Sequence, residues 1–330
     1  MSTDPLYFLA RRFFAQETRS KIKQLMASSR KQFAPVHLLL HEQFTAKQLV
    51  AECAARMPGD FDILMVHSAS DRLLPMYSGT PKELVLELLE LCGPKRTLAM
   101  PAFNLGGKYY QPIEYYRTHI FDVRRTISEM GMPSEVFRRM PGVRRSLHPT
   151  HSVCAFGPLA EELTSTHHLG TTRTGKHTPF EVMAKRRTVI LGLGIKYFRS
   201  MTQSKCAEDL FDDDFPVKCL KKDSITVRMI DSQGQESSYV LTIPHLALDK
   251  EGTILRTLMP PGHLNEWRFH GVNLWLASAR EVTECLLDAA LRGITFYGHV
   301  HGEWRVPPER VLAARRAICL EPGDSKGGNL

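Results

Sequence analysis

Apolar residues recur along the chain with two different periods. Leu6, Leu9 and Phe13, then Ile22, Leu25 and Met26, stand at helical spacing, so residues 4–31 read as one or two amphipathic helices ahead of the main body. From Thr45 onward, chemistry marks the helix starts as well. T-A-K-Q at Thr45–Gln48, T-P-K-E at Thr80–Glu83, T-P-F-E at Thr178–Glu181 and S-A-R-E at Ser278–Glu281 each put a hydroxyl three residues before a Glu or Gln, the spacing of a capping box. Between them lie apolar runs of strand length: Ile63–Val66, Thr97–Met100, Thr188–Leu193 and Ile294–Tyr297. A strand over 62–67, a helix over 80–91 stopped by Gly93-Pro94 and a strand over 97–100 form one βαβ unit. The alternation predicts an α/β sheet. One hairpin interrupts it and is expected to stand off that sheet: Ile225, Val227 and Met229 alternate with polar residues, Ser232-Gln233-Gly234 turns, and Tyr239, Leu241 and Ile243 alternate back.

Composition narrows the class without naming a function. The 330 residues are 43% hydrophobic and 24% charged, a globular balance that excludes a disordered or collagenous chain. The seven cysteines are odd in number and scattered without a C-x-x-C pair, which argues for reduced thiols and against a disulfide scaffold or zinc knot. No apolar run is long enough to span a membrane, and the four-residue stretch before Arg11 is too short for a secretory signal, so a cytoplasmic protein is expected. The net charge is +8, and residues 1–35 carry seven basic against two acidic side chains. Such a segment suits a solvated helix face, an acidic partner such as an acyl carrier protein, or packing in a homodimer. Its aromatics precede the basic stretch, so a nucleic-acid stacking platform is not favoured. We expect a helical extension over 1–40, a single α/β domain over 41–322 and a loose tail over 323–330, with no internal repeat.

Chemistry concentrates in residues 131–157, GMPSEVFRRMPGVRRSLHPTHSVCAFG. Arg138, Arg139, Arg144 and Arg145 supply bidentate donors, Ser146 and Ser152 supply hydroxyls, and two prolines fix the loop between them, a composition suited to reading phosphate or to a plain basic surface. His148 and His151 are three apart, but Pro149 opposes the helix that would put both on one face of a metal site. His299 and His301 share one face of an extended segment without a carboxylate motif beside them. Leu191-Gly192-Leu193-Gly194 lacks the third glycine of a dinucleotide fingerprint. No metal site is expected.

The run M-G-x-x-x-E-x-F-R-R-x-P-G-x-x-R-S-x-H-P-x-H-S-V, from Met130 to Val153, resembles the signature of the aminoglycoside 3-N-acetyltransferase family. Other landmarks follow in order: Val66-His67-Ser68, Met100 to Phe103, Phe121-Asp122 and Leu191 to Gly194. The likeness covers roughly residues 44–215. It implies an αβα three-layer sandwich around a central mixed sheet, with the small hairpin as an addition, and acyl transfer from acetyl-CoA or another thioester to a small-molecule amine, with no permanently bound cofactor. By the same resemblance His67, Ser68, Arg145, Ser146, His148, Ser152 and Val153 line the donor, and Phe103, Asn104 and Asp122 the acceptor. Ala69 departs from the second serine often found after the H-S pair.

The catalytic position departs further. Relatives carry a threonine, two residues, then a histidine followed by x-A-E, whereas this chain reads Thr202-Gln203-Ser204-Lys205-Cys206-Ala207-Glu208. Thr202, Lys205 and Glu208 are the corresponding catalytic candidates, with a lysine where the base is expected. A histidine near pKa ~6.5 takes a proton from an ammonium at neutral pH, and an ordinary lysine near ~10.4 does not. Lys205 therefore acts as a base of lowered pKa, anchors an anionic group of an acceptor whose nucleophile arrives neutral, or marks a site that only binds. Cys206 as a covalent acyl carrier is a fourth reading. Glu208 and Asp212 would share a helix face and attract a cationic acceptor, or would form a solvated acidic helix end. The expected function is N-acyl transfer to an amine of a specialised metabolite or aminoglycoside-like acceptor. The alternative is a non-catalytic thioester or carrier-protein binding module.

Overall fold

The computed structural model describes residues 34–36, 38–107, 112–211, 222–244, 254–296, 298–299 and 306–319. The expected helices over 4–31, the C-terminal tail and Asp212 lie outside these residues. In chain order the principal elements are α1 (Ala46–Ala54), β1 (Ile63–Ser68), α2 (Pro81–Cys92), β2 (Thr97–Pro101), β3 (Phe121–Asp122), α3 (Met132–Arg138), β4 (Arg144–Arg145), β5 (Val153–Phe156) and α4 (Ala160–Thr164). They continue with α5 (Pro179–Lys185), β6 (Thr188–Leu193), α6 (Ser204–Phe211), β7 (Lys222–Ile230), β8 (Glu236–Pro244), β9 (Leu264–Phe269), β10 (Val272–Ser278), α7 (Ala279–Leu291) and α8 (Pro308–Ile318).

The main sheet has seven strands in the order β4-β5-β2-β1-β6-β10-β9. β1 runs parallel to β2 and β6, and the flanking strands pair antiparallel, so the sheet is mixed. Alternate residues of each strand enter opposite cores, because successive side chains of a strand point to opposite faces. Ile63, Met65, Ala99 and Ile190 pack with α4, α5, α6, α7 and α8, while Leu64, Val66, Leu98 and Leu191 pack with α1, α2 and α3. These are the three layers of an αβα sandwich. The hairpin β7–β8 joins β3 in a separate three-stranded sheet, with Phe121, Val227, Met229, Tyr239 and Leu241 as its core.

Local signals account for the helix starts. Thr45 and Thr80 form complete capping boxes with Gln48 and Glu83. Thr178 and Ser278 accept the N3 backbone N–H, but their partner glutamates turn elsewhere: Glu181 accepts from the His177 backbone and Glu281 faces His263 at 2.7 Å. The fourth expected strand is a correction. Among the described residues Ile294–Thr295 pairs with Gly298–His299, outside the main sheet. Conversely, β4, β5, β9 and β10 complete the sheet where the pattern gave no clear alternation. Among the described residues no helix is long and apolar enough to cross a membrane.

Gly192 explains why the L-G-L-G run has glycine at its second position. It stands opposite Trp275 in the β6–β10 ladder, and a Cβ there would lie 1.9 Å from the indole Nε1. The indole fills that space and donates to the Ile195 carbonyl at 2.8 Å.

Candidate active site

The carboxyl ends of β1, β2 and β6 lie side by side, the edge at which open α/β sheets bind ligands. β1 ends on His67 and Ser68. The His67 ring stacks on Trp275 at 6.2 Å between centroids, and burial pulls its pKa down to about 4. The Ser68 hydroxyl is buried and has no hydrogen-bond partner among the described residues.

The loop between β4 and β5 adjoins this edge, and its polar groups hold the loop together. Ser152 Oγ donates to the Ala102 carbonyl at 2.8 Å. Ser146 Oγ accepts from the Val153 N–H at 2.9 Å and lies 2.8 Å from His167 Nδ1, while His167 Nε2 lies 3.1 Å from the Arg173 carbonyl. A single proton arrangement satisfies all three contacts: the serine donates to Nδ1 and Nε2–H donates to the carbonyl, leaving His167 neutral. Burial agrees, lowering the His167 pKa to about 3. His148 Nδ1 accepts the Thr150 and His151 backbone N–H groups at 3.2 and 3.0 Å, so its proton sits on Nε2, which is buried without a partner among the described residues. The His148 ring stacks on His167 at 4.4 Å and meets Tyr239 of the hairpin at 5.0 Å.

Arg145 differs from expectation. Its Nε donates to Ser152 Oγ at 2.9 Å, one terminal nitrogen to the Val123 and Thr126 carbonyls, and the other to Ala102 O at 2.7 Å. The guanidinium also lies 4.9 Å above the Phe121 ring. Arg145 is thus a strut that ties β4 to the ends of β2 and β3, with its donors turned to carbonyl oxygens and not to a phosphate. Arg138 behaves alike, holding Glu135 and the Arg124 carbonyl. The Asp122 carboxylate accepts the Arg124 and Arg125 backbone N–H groups at 2.8 and 3.2 Å, which makes it the cap of its own turn. Asn104 is buried, donating to Ile127 O at 3.3 Å and accepting from Gly106 N and Tyr116 Oη. Glu129 braces the same turn through the Leu105 and Gly107 N–H groups.

The side chains left facing one another are Phe103, His151, Lys205 and Glu208. The Phe103 ring lies 4.8 Å from His151 and 6.4 Å from Phe180. His151 Nδ1 is 2.9 Å from Thr150 Oγ1. Burial holds its pKa well below the ordinary range, helped by Arg173, His167 and Lys205. Lys205, in the first turn of α6, places Nζ 3.9 Å from Glu208 Oε2 and 4.2 Å over the Phe296 ring. Its side chain is only 18% exposed. Thr202 contributes its carbonyl to the Lys205 N–H at 2.9 Å. Cys206 points into the core, where burial raises its thiol pKa well above the ordinary value, and this removes the covalent acyl-carrier reading. Arg173, His167 and Tyr239 were missed in the sequence. The only trace of Arg173 and His167 was their place between the His-rich loop and the Thr178 helix start.

Comparison with known proteins agrees with the fold. The family described as aminoglycoside 3-N-acetyltransferase matches residues 65–289. Aminoglycoside N(3)-acetyltransferase III of Acinetobacter baumannii is 29% identical over 161 residues, 45% of this chain and 56% of that protein. A type IV enzyme from Salmonella sp is 33% identical over 104 residues, 31% of this chain and 36% of that protein. The chain thus spans about half the length of the first of these relatives. Two solved structures share the fold at a TM-score of 0.60: the YokD protein from Bacillus subtilis, 19% identical over 74% of this chain and 93% of that one, and AAC-IIIb in a binary complex with CoASH, 22% identical over 74% and 95%. With well over half of its residues matched by the family and the same three-layer fold, the chain belongs to the aminoglycoside 3-N-acetyltransferase family.

Proposed function

We propose that the protein transfers an acyl group from acetyl-CoA to an amine. The observation that carries this reading is the convergence of the Phe103 turn, the His148–His151 loop and the first turn of α6 on His151, beside the carboxyl ends of the parallel strands. AAC-IIIb, which shares the fold, binds CoASH, and this supports coenzyme A as donor. Ser68 has a buried hydroxyl without a partner among the described residues, which fits a hydrogen bond to the donor. His67 and Val153 wall the same edge. Arg145, Ser146, His148 and Ser152 position the loop from behind, while Asn104 and Asp122 shape the acceptor turn.

In the reaction the amine nitrogen attacks the thioester carbonyl carbon, the C–S bond breaks, and the thiol leaves as the amine loses a proton. Lys205 Nζ lies 3.9 Å from the Glu208 carboxylate, a neighbour that favours the charged form of a lysine and suits it to anchoring a ligand better than to accepting a proton. The nucleophile is therefore one that arrives neutral. Lysine at this position also favours a second reading, a module that binds the thioester without turnover. Thiol release from acetyl-CoA separates the two: release that requires an added amine supports the transferase, and tight acetyl-CoA binding with no amine-dependent release supports the module. Deleting residues 1–35 tests whether that basic segment docks an acyl carrier protein or a second copy: the first outcome lowers activity with carrier-bound thioester alone, the second lowers the mass in solution.

A further inference from the structure

The segment between His167 and α5 is pinned throughout. Tyr239 Oη donates to Gly170 O at 3.0 Å, and Thr174 donates to Asp209 Oδ2 from both N and Oγ1, at 2.8 and 2.6 Å. Thr178 Oγ1 donates to Gly175 O at 2.6 Å, and a Cβ on Gly175 would lie 2.8 Å from the Asp209 carbonyl. The Arg173 carbonyl is itself held by His167. The backbone on both sides of Arg173 is therefore fixed by buried polar contacts.

The Arg173 side chain is the exception. It is partly buried, and among the described residues its guanidinium has no hydrogen-bond or ion-pair partner. Its charge acts on His148, His151 and Tyr239, all uncharged at neutral pH. The two carboxylates near this segment are engaged elsewhere: Asp209 accepts from Thr174, and Glu208 faces Lys205. Every other arginine described around this loop behaves differently, since Arg138, Arg144, Arg145 and Arg186 all hold carbonyls or carboxylates. A guanidinium presents five donors in a planar fork that matches a carboxylate or phosphate. Rooted on a backbone held by His167 on one side and Asp209 on the other, it is preorganised for one.

We infer that Arg173 binds an anionic group of the acceptor, so that the acceptor is an amine carrying a carboxylate or phosphate. This rests on the acyl-transfer reading above and adds the substrate class. It also accounts for the lysine at position 205, since a site that holds an anion is served by a cation there. Phosphates of coenzyme A present the same chemistry, so the test must separate the two sources.

Two measurements do so with the 330-residue chain. The first titrates inorganic phosphate into the protein saturated with CoA, comparing parent and Arg173→Gln by NMR or calorimetry. The parent is expected to bind phosphate about tenfold more tightly than the variant, the loss associated with one charge-assisted pair. Equal affinities overturn the inference, and a difference seen only without CoA assigns Arg173 to the donor and overturns the acceptor assignment. The second follows thiol release from acetyl-CoA with glucosamine 6-phosphate, glucosamine and kanamycin. Preference for the phosphorylated amine, with its KM raised in Arg173→Gln and the acetyl-CoA KM unchanged, is the expected result. Equal use of all three amines by both proteins overturns the inference while leaving acyl transfer standing. Arg173→Lys, which keeps the charge without the fork, is expected to recover part of the phosphate affinity and controls for folding.

Discussion

Replacing Arg145 by Met decides between a structural strut and a phosphate arm. The substitution keeps an apolar stem of similar length and removes four hydrogen bonds, to Ser152 Oγ and to the Val123, Thr126 and Ala102 carbonyls. Ala102 O keeps Ser152 Oγ as a donor, so the acceptors left short are Val123 O and Thr126 O. Burial lowers the Arg145 pKa to about 10, which still leaves it charged at neutral pH, so these are charge-assisted bonds. A deprived acceptor costs about 1–3 kcal/mol when fully buried; Val123 O and Thr126 O are part-buried, so with the lost contact over Phe121 the destabilisation comes to about 2–4 kcal/mol. For a domain of this size that lowers Tm by roughly 10 °C. Urea titrations of parent and variant, read at unchanged m, measure it directly. The acetyl-CoA KM of the folded variant is expected to stay within about twofold, against the ten- to hundredfold rise that loss of a phosphate contact would bring. A destabilisation below about 1 kcal/mol together with a tenfold rise in KM would refute the strut.

Three further outcomes are expected. Gly192→Ala drives a Cβ into the Trp275 indole and breaks its bond to Ile195 O, so melting falls by about 2–4 kcal/mol equivalent, and Trp275→Leu in the same chain restores part of the loss. His67 titrates near 4 in the folded chain against about 6.5 unfolded, so the unfolded state binds more protons as pH falls below 6.5; its contribution, about 3 kcal/mol, is present above that pH and is lost on acidification through pH 4. Urea midpoints between pH 7.5 and 4.5 check this, and a His67→Leu variant with the same pH slope as the parent would count against it. Cys206 is expected to resist iodoacetamide in the native protein and Cys206→Ala to keep its thiol release; rapid native alkylation, or abolished release in a folded variant, would reopen covalent catalysis.

What the chain determined by itself is what short stretches of backbone settle among themselves. The Thr45 and Thr80 capping boxes close within three residues, and the strand–helix–strand order over 63–101 follows from period, length and the Gly93 stop. The motif residues were legible too, because their chemistry and spacing resemble a family whatever they touch. Tertiary structure decided where that chemistry points. Arg145 reads as a phosphate arm until Ala102 and Val123, 43 and 22 residues away, arrive to accept its donors. Gly192 stands in its strand without a visible reason until Trp275 is laid across it. β9 has the edge of the sheet on one side and exposed polar residues along it, so no alternation announces it, and the two residues of β4 are too few for any period to show. Arg173 carries no local signal beyond its place between the His-rich loop and the Thr178 helix start. Its meaning comes from an absence that only packing creates: the neighbouring backbone is held by residues as distant as Asp209 and Tyr239, and its own guanidinium is left without a partner among the described residues. Hydrogen bonds within a turn are fixed by spacing along the chain. Bonds across a core are fixed by which elements the hydrophobic layers bring together, and that depends on the whole fold.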